Sequence, residues 1–278
     1  MQPLSSLSTI TEKYDLFLLD LWGVVHDGTH LYDGVLGTLE MLRAQSKTVI
    51  FISNAPRRSH KVKAVLKELG VGEELYLDAV SSGEVGYQWL ASGKAPWGKN
   101  YYFVGPPKDA DILEGLDFVR VDDIKTADFL LNVGFGSEEQ TSDDFSMLLR
   151  GAKAQGLPML CLNPDLEVVK ISGERFACAG VLAKYYEQLG GLVKWFGKPY
   201  AEIYDFCQAE AHGTKARTLA VGDSLHTDIA GGQNYGIDTL LITGGILKHE
   251  SEVRLAEMCT EQGVRPTHVA PSLAKAFL

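Results

Sequence analysis

Five residues of this chain could do chemistry together: Asp20, Ser53, Lys198, Asp223 and Asp228. Three are carboxylates, hard oxygen donors suited to a small divalent cation. A carboxylate can also attack phosphorus and form an aspartyl-phosphate. A lysine and a hydroxyl beside it could hold the oxygens of a transferring phosphoryl group, where charge must be stabilised. Asp20 and Asp223, with a backbone carbonyl and waters, could complete an octahedral Mg2+ shell, and Asp228 could orient a bound water from behind. Each residue alone has a plainer use. Asp223 and Asp228 could cap a helix, Lys198 could be a solvated turn lysine, and Ser53 a strand-end hydroxyl bonded to backbone. What joins them is order along the chain: four separate strand ends present them, with Asp228 five residues after Asp223.

Those runs predict the elements that must position the five. LFLLD at 16–20 and TVIFIS at 48–53 read as strands covered on both faces, the first ending in Asp20 and the second in Ser53-Asn54. In open α/β sheets the reactive groups sit beyond the carboxyl ends of such strands. Ser59 is expected to cap a helix whose apolar face is Val62, Val65, Leu66 and Leu69, stopped by Gly70. The chain thus opens as a βαβα unit, which implies a parallel sheet. The middle repeats the alternation, with strands expected at 101–104, 128–133 and 158–162 and a helix capped by Ser142. The last third alternates again: a helix over 181–189, strands at 193–196, 218–221, 239–242 and 267–270, and a helix over 251–262. The first and last thirds are expected to form one sheet, interrupted by the middle unit.

Composition narrows the function. With 278 residues the chain exceeds the usual single-core size, and 45% hydrophobic with 22% charged residues fits an ordinary soluble protein. The net charge of −10 disfavours nucleic acid or an anionic membrane as the main partner. A small anionic substrate remains compatible where a metal and a lysine reverse the sign locally. No apolar run is long enough to span a bilayer, and the N-terminus lacks a basic start followed by an apolar core, so a cytoplasmic location is expected. The scattered Cys161, Cys178, Cys207 and Cys259 make no zinc-spaced cluster and read as reduced thiols.

The motifs at these strand ends resemble those of the haloacid dehalogenase superfamily, class IIA, the group of NagD-like and p-nitrophenyl-phosphatase-like hydrolases. DLWGV at 20–24 resembles the nucleophile motif, FISN at 51–54 the phosphate-binding motif and GKP at 197–199 the lysine motif. GDSLHTD at 222–228 resembles the acidic motif, and NPD at 163–165 and TGG at 243–245 are also similar to class IIA. The resemblance covers nearly the whole chain. It implies an α/β fold: a Rossmann-like parallel-sheet core, 1–82 and 186–278, with an α/β cap inserted at 83–185. It further implies a Mg2+-dependent phosphohydrolase acting on a small phosphorylated substrate. Asp20 would be the nucleophile, and Ser53, Lys198 and backbone at Asn54 would grip the phosphoryl group. Asp20, the carbonyl of Trp22 and Asp223 would hold the metal, with Asp228 behind. A homo-oligomer is compatible with the resemblance.

One position departs from the family's pattern. Phosphatases of this superfamily usually carry a general-acid Asp two residues after the nucleophile, and here that residue is Trp22. General acid–base catalysis contributes about 10²–10⁴-fold, and an indole cannot supply it. His26 could replace the acid, with Asp27 and His226 also within reach in sequence, although a loop histidine bonded to backbone is the plainer reading of His26. Alternatively, the substrate carries a good leaving group. A third alternative is a catalytically weak sensor or regulatory protein that keeps metal and phosphate binding.

Overall fold

The computed structural model describes residues 2–3, 8–169 and 174–277. The chain divides into two compact units: the first comprises 1–53, 60–80 and 198–278, the second 54–59 and 81–197. The first unit contributes β1 (Gln2–Pro3), β2 (Leu16–Asp20), β3 (Thr48–Ser53) and β4 (Asp78–Ser81, whose last residue counts with the second unit). The second contributes β5 (Asn100–Val104), β6 (Val119–Val121), β7 (Phe129–Asn132), β8 (Met159–Cys161), β9 (Glu167–Val169), β10 (Arg175–Ala177) and β11 (Val193–Trp195). The chain then returns to the first unit with β12 (Thr218–Gly222), β13 (Asp238–Ile242) and β14 (His268–Ala270).

Among the described residues the first unit builds a seven-stranded sheet in the order β1-β14-β13-β12-β2-β3-β4. β2 lies inside it, next to the central strand β12 and parallel to both β3 and β12. All five β2 residues are buried, and Phe17, Leu18 and Leu19 are wholly inaccessible. A strand covered on both faces must be apolar on both, which explains the unbroken run that made it legible. Register lines up the strand ends. Asp20 pairs with Ile52, so Ser53 lies one residue beyond; Leu19 pairs with Val221, so Gly222 and Asp223 follow just past β2's neighbour.

The second unit has a five-stranded parallel sheet, β11-β8-β7-β5-β6, and an antiparallel pair, β9 with β10. Val193–Trp195 therefore does not join the first sheet, as the expected alternation of the last third suggested. It pairs with Met159–Cys161, so the chain leaves the second unit at Gly197 rather than at 185. The alternation pattern identifies a strand but not the sheet it joins. The short segment 54–59 also counts with the second unit.

Two expected caps differ. Ser59 opens the helix Ser59–Glu68 from inside, and its N–H donates to Glu84 Oε2 at 3.1 Å. In the middle unit Thr141, not Ser142, is the cap: its side chain and that of Asp144 satisfy each other's backbone N–H in a capping box. The four cysteines are free thiols, and no helix among the described residues is long and apolar enough to cross a membrane.

Leu18 sits in the middle of β2, an interior strand of the sheet, with no exposure. Leu18→Ala should lower stability by about 2–5 kcal/mol, the usual range for a buried leucine truncation. Urea unfolding followed by circular dichroism measures it; an unchanged midpoint would contradict the placement of β2 in the core.

Candidate active site

The first unit gathers Lys198, Asp20, Asp223 and Asp228 at one edge of its sheet, all buried. Lys198 Nζ donates to Asp20 Oδ1 at 2.5 Å and to Asp228 Oδ1 at 2.6 Å. Asp20, Asp223 and Asp228 each place a carboxylate oxygen within 4.8 Å of the others'. Asp20 is delivered by β2 and Asp223 by the end of β12. Asp228 lies in the π-helical turn Leu225–Ile229 that follows, and Lys198 precedes the helix Ala201–Ala211. Pairs 178 and 30 residues apart in sequence thus meet only because parallel strands end together.

The two aspartates after β12 are held differently. Asp228 commits Oδ1 to Lys198 and accepts the Ser224 N–H on Oδ2 at 3.1 Å. That suits a residue that orients the lysine and supports a ligand from behind. Asp223 accepts the Ile246 N–H on Oδ2 at 2.9 Å. It is also hemmed in by glycines: a Cβ on Gly23 would lie 1.9 Å from Asp223 Oδ2, and one on Gly245 2.0 Å from the same atom. Gly23 further has φ +84°, a conformation that side chains rarely adopt. Neither Gly245 nor the Ile246 N–H was singled out as a site group from sequence. The available signal was the TGG at the end of β13, whose close approach to a residue 22 positions earlier no local pattern encodes.

The electrostatics call for a cation. Burial first, then the Asp228 and Asp223 carboxylates, push the Asp20 carboxyl well above its ordinary range, against the pull of Lys198. Burial works against the Lys198 ammonium too, but Asp20 and Asp228 hold its pKa well above the usual lysine value. Three carboxyl groups crowd one ammonium in a buried place, so each carboxylate charge makes the next costlier. An all-oxygen donor set of this kind fits a hard divalent cation.

The remaining expected site residues fall around this cluster. Ser53 ends β3 beside Asp20 and is partly exposed. Asn54 counts with the second unit, where its Nδ2 donates to Asp165 Oδ1 at 2.8 Å. Trp22 is half-buried, its ring 5.8 Å from that of His26 and packed on Gly28, where a Cβ would lie 2.5 Å from the indole. His26 is buried, and its Nδ1 accepts the Gly28 N–H at 3.0 Å, which puts the ring proton on Nε2. Burial lowers its pKa, so the imidazole is neutral near pH 7. The plainer reading of His26, a loop histidine bonded to backbone, is thus the geometry observed. Asp27 accepts the Thr29 and His30 N–H groups on Oδ1, and its pKa is lowered although burial works the other way. His226 is exposed.

The family model described as haloacid dehalogenase-like hydrolase matches residues 17–119, and one described as HAD-hydrolase-like matches 195–276. Among solved structures, a haloacid dehalogenase-like hydrolase from Brucella suis is 31% identical, with 98% of this chain and 99% of that one covered and a TM-score of 0.83. The 4-nitrophenylphosphatase of Schizosaccharomyces pombe is 28% identical over 95% of this chain and 93% of its own. Phosphoglycolate phosphatase 2 of Arabidopsis thaliana is 26% identical over 87% of each chain. With a relative of this identity matched end to end and both halves of the first unit recognised, the chain belongs to the haloacid dehalogenase-like hydrolase family, in its class IIA branch.

Proposed function

We propose that this chain is a Mg2+-dependent phosphohydrolase that cleaves a small phosphorylated metabolite through an aspartyl-phosphate on Asp20. The observation that carries the reading is the buried Asp20 carboxylate, held by Lys198 within a set of three carboxylates at a parallel-sheet edge. The curated relatives named above are phosphatases, which supports the reaction class. A cytoplasmic setting suits free thiols and such a substrate.

In this reading the Asp20 carboxylate attacks phosphorus. A P–O bond to Asp20 forms, the P–O bond to the leaving group breaks, and its electron pair departs with the leaving oxygen. Water then attacks the phosphoryl group, releasing phosphate and restoring Asp20. Lys198 and the Ser53 hydroxyl hold phosphoryl oxygens as charge builds, with the Asn54 backbone assisting. Lys198 is already anchored by Asp228, so its ammonium need not reorganise. A divalent cation held by Asp20, Asp223 and the Trp22 carbonyl, with Asp228 behind, would offset the charge of nucleophile and substrate.

Protonation of the leaving group is where this chain differs. The Trp22 indole N–H is far too weak an acid to protonate a leaving group, and His26 is a neutral ring whose Nδ1 is occupied by the Gly28 N–H. The leaving group's own stability as an anion then sets the rate of the first step.

Two measurements check the reading. Phosphate release with Mg2+ should fall steeply from acyl phosphate to 4-nitrophenyl phosphate to an alkyl phosphate, and Asp20→Asn should abolish it. A flat series would give the acid role to another residue, with His26→Gln the first variant to make. Asp20-independent release would remove the nucleophile assignment, and binding of phosphate and Mg2+ without turnover would favour a sensor. Separately, Gly245→Ala places a Cβ against Asp223 and should weaken Mg2+ binding about 10-fold or more, since a misplaced donor forfeits the geometry that Mg2+ demands. Calorimetric titration reads this directly; wild-type affinity would remove Asp223 from the metal site.

A further inference from the structure

The second unit contains an amide whose neighbours are the covalent neighbours of both phosphate-gripping residues. Asn54 follows Ser53 directly, and Gly197 precedes Lys198 directly. Asn54 is 5% exposed, and its Nδ2 donates to Asp165 Oδ1 at 2.8 Å. Its Oδ1 lies against Gly197, where a Cβ would stand 2.6 Å from it and where φ is +107°. One side chain therefore contacts, at one end, the carboxylate of Asp165 and, at the other, the backbone that leads into Lys198.

Asp165 is itself built in. Its N–H donates to Asn163 Oδ1 at 3.0 Å, closing the Asn163-Pro164-Asp165 turn. Its carbonyl accepts the Gly180 N–H at 3.1 Å, and a Cβ on Gly180 would stand 2.4 Å from the Pro164 oxygen, so the turn is seated on the start of the helix Ala179–Gln188. The residues after Asn54 are fastened as firmly. The buried Ser82 hydroxyl bonds to the carbonyls of Ala55 and Leu162, that of Ser81 bonds to the Arg57 carbonyl, and the Gly83 N–H donates to the Ala55 carbonyl at 3.2 Å. Arg58 completes the anchorage with a two-pronged contact to Glu84.

We propose that Asp165 is a positioning residue for the phosphoryl-binding pair. By fixing the Asn54 amide it sets the peptide that follows Ser53 and the peptide that precedes Lys198 at one point. The proposal rests on the phosphohydrolase reading, in which Ser53 and Lys198 hold the same phosphoryl group. Two groups on separate segments bind one small anion well only when their spacing is fixed beforehand. A misplacement of about 1 Å at a reacting centre can cost about 10²-fold in rate. In this proposal Asp165 acts through Asn54.

An isosteric swap tests this. Asn54→Asp sets two carboxylates against each other where a donor met an acceptor, and should lower kcat on 4-nitrophenyl phosphate by about 10- to 100-fold. Asp165→Asn, which keeps Oδ1 as an acceptor for the Asn54 Nδ2, should fall less. The double variant Asn54→Asp/Asp165→Asn restores one donor and one acceptor with their direction reversed, and should recover kcat to within about 3-fold of wild type. Affinity for inorganic phosphate, measured by calorimetry on the same proteins, should follow the same order. Thermal unfolding of the swapped protein at the wild-type temperature would separate positioning from loss of fold. A double variant no better than Asn54→Asp, or Asn54→Asp at wild-type kcat, would overturn the proposal. Absence of Asp20-dependent turnover in the wild type would instead overturn the phosphohydrolase reading, and phosphate affinity would still decide the role of Asp165.

Discussion

A buried ammonium shared by two carboxylates, with a third carboxylate close by, sets the conditions that the rest of the first unit meets. Lys198 Nζ lies within 2.6 Å of oxygens on both Asp20 and Asp228, and all three side chains are almost wholly shielded from water. Taking such charges out of water costs several kcal/mol each, and attraction offsets this only where the geometry is good and remaining lone pairs find donors. The backbone supplies those donors: the Ser224 N–H serves Asp228 and the Ile246 N–H serves Asp223. Three carboxyl groups crowded about one ammonium make an all-oxygen donor set that fits a hard divalent cation.

The apolar strands provide the rigidity this arrangement needs. β2, β3 and β12 are parallel neighbours whose interiors are fully buried, so a shift of one strand would disturb packing on both faces of the sheet. Close approach does the finer work. Cβ atoms on Gly23 and Gly245 would overlap Asp223, and one on Gly222 would lie 2.0 Å from Asp228 Cγ. Missing side chains at three positions thus let backbone close on two carboxylates and leave them little room to turn. Preorganisation of this kind is what lets fixed charges stabilise a transition state without moving at the moment of reaction.

How much of this the sequence carries depends on whether the cause is local. Runs such as LFLLD and TVIFIS are legible because a strand covered on both faces must be apolar throughout, and the polar residue that ends each run marks the sheet edge. Asp20, Lys198, Asp223 and Asp228 are accordingly legible as a set from the sequence. Val119–Val121, with Val119 half-exposed at the edge of the second sheet, leaves almost no such trace. Val193–Trp195 was legible as a strand but not as a member of the second sheet, since periodicity carries no information about partners. The parts played by Gly245, Ile246 and Asp165 arise from contacts 22 to 111 residues apart, and nothing in their own neighbourhoods announces them.

The loop after Asp20 shows what a single side chain changes without disturbing the frame. Residues 21 to 26 close on themselves: the Val25 and His26 N–H groups donate to the Leu21 carbonyl, and the Gly23 N–H donates to the His26 carbonyl. This brings the Trp22 ring against His26 and onto Gly28, whose φ of +97° and lack of a side chain make room for the indole. In the proposed reading the ligand at position 22 is a backbone carbonyl, which any residue has, so metal binding and proton transfer would be separable at this residue. The indole serves the loop by packing, and in the proposed reading it would leave proton transfer to the substrate. General acid catalysis is worth about 10²–10⁴-fold, and a leaving group that departs readily as an anion needs little of it. Under the proposed phosphohydrolase reading, Trp22 would filter substrates by their leaving groups and leave the carboxylate cluster unchanged.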